Sequence, residues 1–319
     1  MLRSFLIYLS KAAWAQNMVT SWKFAWSTAS RFVAGTKVDD AIKSIRELNA
    51  KNINVTLDHL GEHTSTPEEA SEATSEILNT LDEIKKSGVR ANVSIKLTQI
   101  GLALDESLCA QNLERILSRA KEHGNFVRID MEDTPYTDKT LNLLYQMRAK
   151  GYKNVGTVLQ SYLFRTEADA RKLLGEKVTI RLVKGAYQEP ADKAFAKKAD
   201  VDANYDLLTK IMIDAALAFE SPKISDDGLL PPIPAIGTHD ENRIDFACQY
   251  ALKVGLPKDA MEFQMLYGIR RDLQEKLVKD GYLVRVYFPF GTHWYPYFMR
   301  RLAERPANVW FFISNFFRK

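Results

Sequence analysis

The chain has 319 residues, 46% hydrophobic and 26% charged, with 44 Lys and Arg against 40 Asp and Glu. That composition belongs to an ordinary globular protein, excludes collagen-like, coiled-coil and disordered chains, and at a net charge of +4 carries no nucleic-acid signature. Cys109 and Cys248 are too few for a disulfide framework or a four-thiolate zinc site.

Residues 1–47 hold seven Lys or Arg against three Asp or Glu. The apolar run Ser4 to Ser10 is bracketed by Arg3 and Lys11. It is far shorter than the roughly 20 residues of a spanning helix. Phe24, Trp26, Phe32 and Val33 suit helices packed on the flank of a larger body. The expected division is therefore a helical segment over 1–47, packed on a larger body over 48–319.

From residue 48 onward, short β-rich runs alternate with helical patterns. The runs are Ile53–Asp58, Ala91–Leu97, Phe126–Met131, Asn154–Gln160, Val178–Val183, Ala235–His239, Met261–Leu266 and Leu283–Phe288. The spacing predicts helices over about 67–87, 105–123, 137–150, 166–175, 201–219, 241–254 and 269–280, with an eighth over about 295–304. Eight apolar β runs separated by helices imply parallel strands, right-handed crossovers and a closed (β/α)8 barrel. Ser221 to Pro234, with Asp226-Asp227-Gly228, reads as a surface loop. Neither a Gly-rich dinucleotide fingerprint nor a phosphate loop occurs.

In such a barrel, chemistry sits where the strands end. Polar groups gather there: Asp58, Lys96, Asp130 with Arg128 and Glu132, Gln160, Arg181 with Lys184-Gly185-Ala186, Thr238-His239-Asp240, and Glu262 with Gln264. Charges inside β runs need partners, because an unpaired buried charge costs several kcal/mol. After the last run comes Trp294-Tyr295-Pro296-Tyr297-Phe298-Met299-Arg300-Arg301-Leu302-Ala303-Glu304, where Tyr297, Arg301 and Glu304 share a helical face beside Arg300. Paired guanidinium groups suit a carboxylate, and Glu304 can orient Arg301. Bland alternatives stand beside each choice. Lys96 and Lys184 could be interior ion-pair partners, His239 a loop brace, Thr238 a helix cap, and Tyr297 a core aromatic. His59 and His63, four apart, lack a firm third ligand for a metal.

The ordered set Asp58-His59-Leu60-Gly61-Glu62, Ser94-Ile95-Lys96-Leu97-Thr98, Arg128-Ile129-Asp130-Met131-Glu132, Arg181-Leu182-Val183-Lys184-Gly185-Ala186-Tyr187, Thr238-His239-Asp240, Glu262-Phe263-Gln264-Met265-Leu266-Tyr267-Gly268 and Tyr297 to Glu304 resembles the monofunctional proline dehydrogenases. The resemblance implies an α/β fold, a distorted (β/α)8 TIM-like barrel with N-terminal helices and a final helix near the barrel mouth. It implies oxidation of L-proline to 1-pyrroline-5-carboxylate, with noncovalent FAD as hydride acceptor and a membrane quinone as the next acceptor. Arg181 is then expected near flavin N5. Met131, Gln160, Lys184, Gly185, Ala186, Thr238 and His239 are expected in the FAD site. Arg300 and Arg301 are expected on the substrate carboxylate, with Lys96 and Tyr297 also at the substrate. Asp130 supports the polar network and Glu304 holds an arginine, and no metal is expected.

The same resemblance leaves the product to a separate pyrroline-5-carboxylate dehydrogenase. It also suggests a cytoplasmic protein in peripheral contact with the inner face of the membrane, which fits the basic, aromatic ends, the last being Phe316-Phe317-Arg318-Lys319. Three rivals predict other observables: a metal-dependent barrel hydrolase is colourless and binds zinc, a lysine Schiff-base aldolase is trapped by borohydride, and a catalytically dead binding barrel holds no cofactor.

Overall fold

In the first strand, Asn54, Thr56 and Asp58 alternate with Ile53, Val55 and Leu57, giving one polar and one apolar face. On an open sheet the polar face would meet water, yet all six residues are buried. A computed structural model shows why. It describes residues 29–61 and 64–304, the side chains of Ala303 and Glu304 excepted, together with Leu9, Ala12, Trp14, Gln16, Met18 and Trp26. The apolar row packs outward into the core shared with the helices, and the polar row fills a closed barrel.

The eight strands are β1 (Ile53–His59), β2 (Ala91–Ile95), β3 (Val127–Ile129), β4 (Val155–Gln160), β5 (Ile180–Val183), β6 (Pro234–Gly237), β7 (Glu262–Leu266) and β8 (Leu283–Phe290). Each pairs in parallel with the next, and β8 returns to β1 with Asn54 opposite Arg285 and Asp58 opposite Pro289. The helices are α1 (Val38–Ala50), α2 (Pro67–Ser87), α3 (Glu106–Glu122), α4 (Thr134–Ala149), α5 (Thr166–Gly175), α6 (Lys198–Ala218), α7 (Glu241–Val254), α8 (Arg271–Lys279) and α9 (Trp294–Glu304). The sequence-based expectation of a (β/α)8 barrel with a final helix is therefore met. Pro67 at the first turn of α2 and Thr66, whose hydroxyl accepts from the Glu69 amide at 3.2 Å, explain the sharp start of that helix.

Two loops depart from simple crossovers. The connection between α6 and β6, expected to lie on the surface, turns inward at the lower end of the barrel. There the Gly228 carbonyl accepts from Arg285 Nη2 at 2.7 Å and the Leu229 carbonyl from Asn92 Nδ2 at 3.0 Å. A buried carbonyl needs such donors, so the plug and the polar interior require each other. At the upper end, the segment before α1 crosses the ends of β7 and β8. The Ala34 amide donates to the Pro289 carbonyl at 2.9 Å and the Gly291 amide to the Gly35 carbonyl at 3.0 Å. Gly268, at φ +76°, makes this crossing possible, since a Cβ there would stand 1.8 Å from the Arg31 carbonyl oxygen. Ala29 and Val33 then pack with Trp294, Phe298 and Leu302 of α9, and Trp26 meets Trp294 edge-on at 5.6 Å.

Among the described residues, no helix is long and apolar enough to cross a membrane. The apolar run Ser4 to Ser10 apart from Leu9, Phe24, Glu62, His63 and the C-terminal Phe316-Phe317-Arg318-Lys319 lie outside the described residues, as does the side chain of Glu304.

Candidate active site at the strand ends

Asp130 follows β3 directly and is the centre of the upper layer. Its Oδ1 accepts from Ser94 Oγ at 2.6 Å and from Arg181 Nη1 at 2.9 Å. Its Oδ2 accepts from the Tyr287 hydroxyl at 2.8 Å and lies 3.5 Å from Lys96 Nζ. Lys96 also donates to Asp58 Oδ2 at 3.1 Å and to the Tyr287 hydroxyl at 3.3 Å. The Arg181 guanidinium carbon stands 5.2 Å from the Tyr287 ring centre. Five strands thus contribute to one cluster: β1, β2, β3, β5 and β8.

The electrostatics favour the ionised form of Asp130 and the neutral form of Tyr287. Burial alone raises the Asp130 carboxyl, but Lys96, Arg181 and the hydrogen bonds from Ser94 and Tyr287 outweigh it and hold the group below the usual carboxylate range. Burial, followed by the charges of Asp130 and Asp58, pushes the Tyr287 phenol far above its ordinary value. Asp130 is an anion and Tyr287 a neutral donor across the physiological range. Arg181 keeps its Nη2 buried without a hydrogen-bond partner.

The other expected site residues divide. Gln160 ends β4, and its Nε2 donates to the Glu132 carbonyl at 2.9 Å; the side chains of Gln160 and Met131 are both buried. His239 Nε2 accepts from the Leu266 amide at 2.9 Å, which assigns the ring proton to Nδ1 and braces β6 against β7. Thr238 does not cap α7. Its hydroxyl accepts from the Asp240 amide at 3.1 Å, and Asp240 is the cap, accepting from the Asn242 amide at 3.1 Å. Lys184 bridges Asp202 at 2.5 Å and Asp240 at 2.6 Å, so the structure places it in the ion-pair role weighed as an alternative.

Gly185, expected in the FAD site, lies against Tyr162. At φ +116°, its missing Cβ leaves room for the Tyr162 ring, which would otherwise be 2.3 Å away. Ala186 follows it in the same loop. On α9, Tyr297 is buried in the apolar cluster and the Arg301 guanidinium lies over its ring at 5.2 Å, with Arg300 alongside in sequence.

Sequence reasoning passed over Tyr287 and left Asp58 and Ser94 without roles. The signal was present: Arg285 and Tyr287 alternate with Val284, Val286 and Phe288, the pattern that drew attention to Arg128 and Asp130.

Comparison with known proteins places this geometry. The proline dehydrogenase family profile matches residues 41–313. Proline dehydrogenase 2 of Bacillus subtilis (strain 168) is 40% identical over 317 residues, covering 99% of each chain. The proline dehydrogenase of Deinococcus radiodurans is 41% identical over 294 residues, 91% of this chain and 90% of its own. Among solved structures, proline utilization A from Bdellovibrio bacteriovorus, inactivated by N-propargylglycine, superposes with a TM-score of 0.79 at 25% identity over 88% of this chain. This chain spans 33% of that larger protein. The match to the family runs through every strand of the barrel and through the Asp130 cluster, and the chain belongs to the proline dehydrogenase family.

Proposed function

We propose that this chain oxidises L-proline to 1-pyrroline-5-carboxylate with noncovalently bound FAD, and that the electrons pass to a membrane quinone. The observation that carries this is the buried Arg181 Nη2, unpartnered beside Asp130 and Lys96 in a member of this family. A guanidinium only donates, so that site calls for an electron-rich acceptor, and flavin N5 is one. Met131, Gln160, Ala186, Thr238 and His239 complete the proposed cofactor site, with Lys184 and Gly185 shaping its wall through Asp202, Asp240 and Tyr162.

FAD supplies the hydride acceptor. The protein supplies orientation and charge. Arg300 and Arg301 hold the proline carboxylate, Lys96 adds positive charge beside it, and Tyr297 borders the ring. Glu304 follows one turn after Arg300 and Arg301 on α9 and steadies them in this account. Asp130 keeps Lys96, Arg181 and Tyr287 together and takes no proton from the substrate at neutral pH, because its charge is stabilised. The substrate amine must therefore lose its proton before hydride departs from C5, and kcat/KM rises with pH between 6 and 8. A fall over that interval contradicts this assignment.

The quinone acceptor is supported by the basic, aromatic ends of the sequence and by the lack of a dinucleotide fingerprint. The product then passes to a separate pyrroline-5-carboxylate dehydrogenase, and the protein works in the cytoplasm against the inner face of the membrane. Two measurements test the proposal. Denatured protein should release FAD into the supernatant; flavin retained in the precipitate overturns noncovalent binding. Turnover with a soluble quinone as sole acceptor should exceed turnover with NAD, and the reverse overturns the quinone assignment.

A further inference from the structure

Below the Asp130 cluster lies a second set of buried polar groups that the reaction does not touch. Glu262 on β7 is 0% exposed and accepts from Arg285 Nε with both oxygens, at 2.9 and 3.0 Å. Arg285 is itself anchored to the Val55 carbonyl at 2.8 Å and the Gly228 carbonyl. Glu262 Oε1 also accepts from Gln264 Nε2 at 2.5 Å, and Gln264 Oε1 accepts from Arg181 Nε. The orientation of this amide follows from chemistry alone. A carboxylate offers only acceptors and a guanidinium only donors, so the nitrogen must face Glu262 and the oxygen Arg181.

We infer that Glu262 is a positioning residue for the reaction: by accepting from Gln264 it fixes the amide polarity that aims Arg181 at Asp130. A reversed amide sets NH2 against the Arg181 N–H and an oxygen against the Glu262 carboxylate, two repulsions in a site closed to water. Arg181 Nε then loses its acceptor, and nothing fixes the direction of Nη1 and Nη2. The inference rests on Arg181 serving the active site as proposed above.

The relay has a polarity, and polarity can be exchanged. In Glu262→Gln, the new amide turns its oxygen to Arg285 and its NH2 to Gln264, which forces Gln264 to flip. In Gln264→Glu, two carboxylates face each other where one hydrogen bond stood. In the double exchange, Glu262→Gln with Gln264→Glu, every donor again meets an acceptor: Arg285 to the new amide, that amide to the new carboxylate, and Arg181 to the same carboxylate.

The test measures steady-state kinetics of the FAD-loaded protein for both single variants, the exchange and Arg181→Met. It also measures solvent exchange of the Arg181 Nε proton in cofactor-free protein labelled with 15N-arginine. Each single variant should lower kcat by about tenfold or more, with less change in KM for proline, and should speed exchange of that proton. The double exchange should recover most of the lost kcat and restore slow proton exchange. Wild-type kcat and exchange in the single variants, or a double exchange no better than the worse single variant, overturn the relay. Thermal midpoints check folding, since a merely structural role predicts lost stability without recovery of kcat in the double exchange. Normal turnover in Arg181→Met instead removes Arg181 from the active site, a separate failure.

Discussion

Arg285 and Arg181 are two buried arginines in one barrel, 1% and 5% exposed, and they are satisfied differently. At the lower end, Arg285 spends its donors on Glu262 and on the carbonyls of Val55 and Gly228. At the upper end, Arg181 has Asp130 and Gln264 but keeps Nη2 without a partner. A barrel of this class usually fills its interior with branched apolar side chains. Here a polar column takes their place, closed below by protein carbonyls. The same residue type is thus bonded at every guanidinium nitrogen at one end and keeps one nitrogen without a hydrogen bond at the other. Arg128 also leaves Nη2 without a partner, but its Nη1 reaches the carbonyls of Thr157 and Thr179 and its head stacks over Phe126 at 4.9 Å.

The largest expected effect comes from breaking the upper end at its centre. Asp130→Asn keeps the shape but removes the charge shared by Lys96, Arg181 and Tyr287. Breaking a buried pair costs about 3–5 kcal/mol, so kcat/KM for proline should fall more than about a hundredfold. Kinetics within tenfold of wild type would move Asp130 out of the site. Next, if Arg301 binds the substrate carboxylate as proposed, Arg301→Met removes a charged hydrogen bond worth about 1.5–3 kcal/mol, so catalytic efficiency should fall at least about tenfold, mainly through KM, with FAD content unchanged. Arg301→Lys should recover part of this, since an ammonium lacks the planar fork. Equal kinetics for Arg301→Met and wild type would remove Arg301 from the substrate site.

The lower end should respond in stability and not in chemistry. Asn92→Ala removes the donor to Leu229 and the acceptor of the Thr56 hydroxyl, costing about 1–3 kcal/mol in urea unfolding with kcat preserved in the folded protein. A loss of kcat with stability intact would erase the contrast between the two ends. The smallest effect is on acid stability. The Asp130 carboxyl is depressed on folding, so its contribution is full above the unfolded value of about 3.9 and is lost as pH falls through the folded value. Below about pH 4 the urea midpoint of wild type should drop more steeply than that of Asp130→Asn.

Much of this architecture was legible because local chemistry decides it. Pro67 and Thr66 start α2, and α5 and α7 occupy the predicted 166–175 and 241–254. The polar strand ends marked Lys96, Asp130 and Arg181 correctly as neighbours at one barrel face. The partner choices were not legible. Lys96 meets Tyr287 across 191 positions of sequence, and Gly228 meets Arg285 only because the barrel closes. Alternation in β1 shows a polar face without saying whether water or another strand lies beyond it. The neighbour of Gly185 was not legible for a related reason: Tyr162 lies 23 positions upstream and on a different strand end, which no local pattern signals.

The central claim is that the upper end holds a flavin that takes hydride from proline. Its most direct test is the absorption spectrum of the purified protein under anaerobic conditions, before and after addition of L-proline. The account predicts an oxidised-flavin band at about 450 nm that bleaches on addition of proline and returns with a quinone. A colourless protein, or a flavin band that L-proline leaves unchanged, would contradict it.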